Sequence, residues 1–224
     1  MASFACRPVA TVCGLPPADL FLLVGGGMEG VSRMSGVTFE LQRAASVEGR
    51  RGEVLSWVGD VAGLGRIELM YPTEYSDYPS EYREVAVSGD SFPLTTYLGL
   101  GFLQRPLLAG GELQVDWEPA GLSRNVWLPG RNVRCLRIQA KGRAYAYAQR
   151  GGRRSHELVR PGAAVHMRRS SWTKPQTISG TCLGEADALD ISIALVLEGV
   201  YTWNLSTFGA LLSLPGRFIN RCDL

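Results

Sequence analysis

The chain has 224 residues, 46% of them hydrophobic, and a formal charge of +2. That is enough to bury one full core, so a single domain over 1–224 is expected. Its five cysteines, Cys6, Cys13, Cys135, Cys182 and Cys222, are scattered without a C-x-x-C pair, which argues against a disulfide framework and a structural zinc. No basic leader runs into a long apolar stretch, so neither secretion nor membrane insertion is expected.

Residues 1–36 read as an N-terminal arm in which 17–24 has room for a short helix. Gly25-Gly26-Gly27-Met28-Glu29-Gly30 fits G-x-G-x-x-G, but a dinucleotide site needs a helix directly after the glycines. Residues 31–36 hold Ser32, Ser35 and Gly36 and turn strand-like at Val37, so a plain turn is the better reading. No cofactor is expected.

From Val37 onward, Gly and Pro divide the chain into short apolar runs with no sustained helical period. Strands are predicted at 37–42, 53–58, 66–70, 84–87, 94–103, 112–117, 133–139, 143–148, 163–167, 191–197 and 208–214. A second short helix has room in the Tyr-rich segment 71–82. Glu112-Leu113-Gln114-Val115-Asp116-Trp117 alternates strictly, as a strand with one face on a core does. The run 191–197 is almost continuously apolar and reads as a central strand covered on both sides. Many short strands with turn signals between them point to an all-β sandwich or jelly roll with long loops and at most short helices, not to a parallel α/β sheet.

Charge is segregated along this chain. Between Arg131 and Arg169 lie ten Arg and one Lys against the single acid Glu157, about +10; taking 11 and 1 from the totals of 23 and 21 leaves 12 basic and 20 acidic residues elsewhere, about −8. One part suits polyanions, and the two parts together would let like subunits adhere. Arg150, Arg153, Arg154, Arg168 and Arg169 are the expected contacts to RNA or to a neighbouring subunit, because guanidinium groups grip phosphates and carboxylates bidentately. Tyr145, Tyr147 and Trp172 flank them with rings able to stack on unpaired bases.

Catalysis finds little support. The two histidines, His156 and His166, both sit among arginines, and a metal site would want more nitrogen ligands and a placed carboxylate. Asp187 with Asp190, or Glu112 with Asp116, are the available carboxylate pairs, and nothing in sequence places either around a substrate. No G-x-S-x-G elbow occurs. The sequon at Asn204 reads as accidental. The expectation is therefore a protein that is not an enzyme and holds no metal.

Several patterns in chain order resemble the small coat proteins of comoviruses and related plant picorna-like viruses. They are Val37-Thr38-Phe39-Glu40-Leu41, Gly111-Glu112-Leu113-Gln114-Val115, Arg124 and Trp127 ahead of 133–138, Ser171-Trp172 with Gln176-Thr177, and Thr207-Phe208, Leu211-Leu212 and Phe218. The matches concentrate in 111–218. Residues 44–100 are longer than the family's spacing, and the Arg-rich loop 150–154 is not one of its hallmarks. The resemblance implies a viral-capsid jelly-roll β-sandwich that assembles with a larger coat protein and copies of itself into an icosahedral shell around single-stranded RNA. Its setting would be the virion, and the host cytoplasm before assembly. Tyr75, Tyr78, Trp117, Trp127 and Trp172 would then be interface anchors. The alternative is a non-catalytic β-sandwich binding module that recognises carbohydrate or a protein partner.

Overall fold

Alternation of inward apolar and outward polar residues makes strands of most of the described residues, and in a computed structural model those strands close on themselves. The structure describes residues 36–44, 47–49, 52–71, 82–102, 105–124, 135–172 and 174–202. In order they form β1 (Thr38–Arg43), β2 (Val47–Gly49), β3 (Gly52–Val61), β4 (Gly65–Tyr71), β5 (Tyr82–Gly89), β6 (Thr95–Phe102), β7 (Arg105–Pro106), β8 (Glu112–Val115), β9 (Glu118–Arg124), β10 (Leu136–Ala140), β11 (Arg143–Gln149), β12 (Ser155–Arg160), β13 (Ala163–Arg169), β14 (Thr177–Gly184) and the helix α1 (Ala188–Gly199).

Every pairing between strands is antiparallel. Apart from the short excursions β2 and β7, each strand pairs with its neighbours in chain order, and β1 pairs with both β14 and β3. Among the described residues the result is a closed twelve-stranded barrel with one short helix. This corrects the jelly-roll β-sandwich expected from the sequence: a jelly roll is two packed sheets, whereas here one meandering sheet has no free edge.

The run 191–197 explains the difference. Instead of a central strand it is the middle of α1, whose residues from Asp190 to Gly199 are all buried. A helix that presents apolar residues on every side, with only Asp190, Ser192 and Glu198 polar in its buried part, must be enclosed. An eight-stranded barrel is about as wide as its own inward side chains can fill, so twelve strands leave a bore that needs a plug. A helix about 10 Å across supplies it. α1 packs against β4, β5 and β6 on one side and β12 and β13 on the other, with Leu41, Ile67, Leu69, Val85, Ile138 and Ile178 among the fully buried wall residues. Outward positions are polar at Thr38, Glu40 and Gln42 of β1 and at Arg137 and Gln139 of β10, whereas Leu100 and Phe102 of β6 and Leu183 of β14 are exposed apolar residues.

Fit between plug and wall is tight at Gly199, where an added Cβ would collide with the side chain of Val85. Gly199→Ala is expected to lower unfolding free energy by about 1–3 kcal/mol through overpacking, measured by urea denaturation.

The helix gives the barrel two distinguishable ends. It enters through Glu185 to Asp187, the end where turns 62–64, 116–117, 141–142 and 161–162 are short, and it leaves through Val200 to Thr202 at the end where β11 passes to β12 and β13 to β14. The expected N-terminal arm, the G-x-G-x-x-G turn, the 71–82 helix apart from its end residues, and the strand at 208–214 lie outside the described residues.

Candidate functional site

At the helix-exit end the turn 150–154 and the segment 170–176 come together because β12 and β13 lie side by side between them. Ser170 Oγ accepts the backbone N–H groups of Gln176 and Thr177 at 3.0 Å each and fixes the second segment. Arg154 reaches across it, donating from Nη1 to the Ser170 carbonyl at 3.0 Å. Arg153 holds its guanidinium 5.4 Å above the Trp172 ring, and Trp172 in turn neighbours Tyr201, which meets Phe102 edge-on at 4.8 Å. Arg150 Nη1 donates to Glu157 Oε1 at 2.8 Å, and His166 Nε2 lies 2.7 Å from the same oxygen. Arg168 and Lys174 are exposed on the same rim. Four of the five arginines expected to make contacts, Arg150, Arg153, Arg154 and Arg168, therefore lie at this end of the barrel, with Arg153 on Trp172, Arg154 on the Ser170 carbonyl and Arg150 on Glu157.

Arg169 does not join them. Ala163, Val165, Met167 and Arg169 share the inward face of β13, so its side chain lies inside the barrel at 2% exposure and cannot reach a ligand on the rim. There it pairs with Glu198 of α1. Tyr147 donates to Glu198 Oε1 at 2.9 Å, and His156 Nδ1 sits 2.9 Å from that oxygen with its ring stacked on Tyr147. Arg105 donates to the Tyr71 hydroxyl at 3.1 Å close by. Burial pushes the Glu198 carboxyl upward, but the charge of Arg169 and the hydrogen bonds outweigh it and hold the group at about 2. A carboxylate held so low is no general acid or base near neutral pH. The network locks the helix in the bore. Sequence reasoning took His156 and Arg169 for surface or rim residues; the parity of Arg169 with Val165 and Met167 was the signal that places it inside.

Around the helix-entry end Asp187 and Asp190 form a capping box rather than a carboxylate pair for catalysis. Asp187 Oδ1 accepts the Asp190 N–H at 3.2 Å, and Asp190 Oδ2 accepts the Asp187 N–H at 3.0 Å. Arg143 binds Asp187 at 2.6 Å, and Arg160 holds Asp190 through Nε at 2.9 and 3.1 Å. Those two cations offset the acids that the helix N-terminus favours.

The segregation of charge along the sequence becomes a polarity along the barrel axis. Carboxylates outnumber cations at the entry end, where Asp60, Asp90, Asp116, Glu118, Glu185, Asp187 and Asp190 meet Arg66, Lys141, Arg143 and Arg160. Trp117, expected like Trp172 to be an interface anchor, is at this opposite end and 76% exposed. Trp127, Tyr75 and Tyr78, the other expected anchors, lie outside the described residues. Among the described residues no three His, Cys, Asp or Glu side chains converge as a metal would need.

The class of protein these features define is an all-β closed barrel plugged by its own helix, with a basic aromatic rim where that helix leaves. No protein-family model matches the chain, and no curated protein or solved structure is found to be similar to it.

Proposed function

We propose that the chain is a non-catalytic binding module that takes single-stranded nucleic acid across the helix-exit rim. The observation that carries this reading is the guanidinium of Arg153 over Trp172, with Arg150, Arg154 and Arg168 on the same rim. Planar cations grip phosphates while ring and guanidinium faces stack on unpaired bases, a combination tolerant of sequence. The coat-subunit expectation took its architecture from a jelly roll; with that corrected, what remains of it is this same rim, which serves a polyanion whether or not a shell forms around it.

The test is affinity for a single-stranded oligonucleotide as a function of salt. Four rim arginines on phosphates give a log-log slope of roughly −3, and Arg153→Glu with Arg154→Glu brings it toward −1. An affinity indifferent to salt, or unaltered in the doubly substituted protein, contradicts the reading. Electron microscopy of the purified chain separates the two settings: closed shells would return it to a capsid, and dispersed molecules leave the module.

A further inference from the structure

We infer that the acidic entry end, with Trp117 as its anchor, docks on the basic exit rim of a second copy of this chain, so that the barrels stack head to tail. The first observation is strain. Asp116 and Trp117 form a two-residue hairpin turn with φ of 48° and 68°, both in the left-handed region. The comparable turns at this end, Lys141-Gly142 and Pro161-Gly162, put glycine at the second position with φ of 75° and 80°, the residue that region favours. A bulky residue held there costs roughly 1–2 kcal/mol.

The turn is well anchored around the strained ring. Asp116 N–H donates to the Leu94 carbonyl at 2.7 Å, the Leu94 N–H donates to Asp116 Oδ1 at 3.1 Å, and Lys141 bridges Asp116 and Glu118 at 3.8 and 3.0 Å. None of these contacts involves the indole, which projects into solvent at 76% exposure. The fold would be more stable without it, so its use is outside the fold.

Charge selects the occupant. Carboxylates flank Trp117 on both sides, which suits a surface rich in cations, and the exit rim of the same molecule carries Arg153, Arg154, Arg168 and Lys174. Complementary patches at opposite ends of one protomer generate a heterologous contact, which propagates instead of closing a symmetric dimer. The inference does not depend on the nucleic-acid reading. Both use the rim arginines, and a bound strand is expected to displace the stacked copy.

Sedimentation velocity in the absence of nucleic acid tests it. At low salt the mean mass of the wild type should climb with concentration through dimers to longer stacks, and molar salt should reverse it. Trp117→Gly is expected to raise the melting temperature while weakening association about tenfold or more. Arg153→Glu with Arg154→Glu should weaken it as much. Mixed together, the entry-end variant and the exit-end variant still own one intact surface each, so they should form 1:1 dimers and nothing larger. A wild type that stays monomeric at low salt, a Trp117→Gly protein that associates like wild type or melts lower, or a mixture without dimers would each overturn the inference. Measured at dilution where the chain is monomeric and no stacked copy competes, the salt slope for the oligonucleotide is left unchanged by Trp117→Gly.

Discussion

Glu198→Ala is expected to lower the unfolding free energy by about 3–5 kcal/mol, because it strands the guanidinium of Arg169 in the barrel without its counter-charge. Arg169 is 2% exposed and Glu198 1%, so bulk water does not screen the stranded charge. Burial weakens the charged form of Arg169, and Glu198 together with Tyr147 and Tyr71 more than restores it, which makes the pair interdependent. Replacing both partners, Glu198→Leu with Arg169→Met, should recover most of the loss, since an apolar pair needs no compensation. Urea denaturation followed by tryptophan fluorescence measures both; a single variant as stable as wild type would mean the network does not hold the helix.

The same carboxyl sets an acid limit. Its folded pKa of about 2 lies below the ordinary value for glutamate, so the folded state binds this proton less readily than the unfolded chain does. The stability it contributes is complete above about pH 4.5 and disappears as pH falls toward 2, a span worth roughly 3 kcal/mol. Glu198→Gln should remove that part of the pH dependence.

Asp190→Ala is the second large effect, expected at about 2–4 kcal/mol. The residue is 1% exposed, accepts the Asp187 N–H and two bonds from Arg160 Nε, and lies 3.4 Å from Arg143. Its loss removes half of the capping box and leaves Arg160 without its carboxylate beside the positive end of the helix, while Arg143 keeps Asp187. Asp187→Ala keeps Asp190 against Arg160 and should cost only about 1 kcal/mol, the ordinary value of a lost cap. Equal effects from the two would contradict the inequality between a buried and a half-exposed carboxylate.

Strand existence was legible from alternation and short apolar runs, but strict alternation over 112–117 overran the strand: β8 ends at Val115, and Asp116 and Trp117 are the turn into β9. The predicted strands at 37–42, 66–70, 84–87 and 143–148 fall within or against β1, β4, β5 and β11. Strands without that signal were missed: β9 is largely exposed and contains Pro119 and Gly121, and β12 and β14 place His156, Gly180 and Cys182 where apolar residues would announce an inward face. The run 191–197 misled because Ile191, Ile193 and Val196 favour strands, and a short apolar stretch has no period to separate a buried strand from a buried helix. Asp187 three residues before Asp190, a capping box just ahead of that run, was the local signal for the helix. Closure of the sheet has no local signature at all, since β1 meets β14 across more than a hundred residues.

The basic rim was readable as composition, and four of its arginines do gather. What composition lacked was direction. Arg168 and Arg169 are adjacent in sequence and point to opposite sides of the barrel wall, and Trp117 and Trp172 carry the same ring to opposite ends.

The claim beneath all of this is that residues 188–199 form a helix inside a barrel closed by β1 and β3. Nuclear magnetic resonance of the methyl-labelled chain tests it directly. Helical Cα shifts over 191–197, methyl contacts from that segment to both β5 and β13, and amide contacts between Leu41 and Gly59 are the expected result. Extended shifts over 191–197, with contacts to one sheet face only, would contradict it.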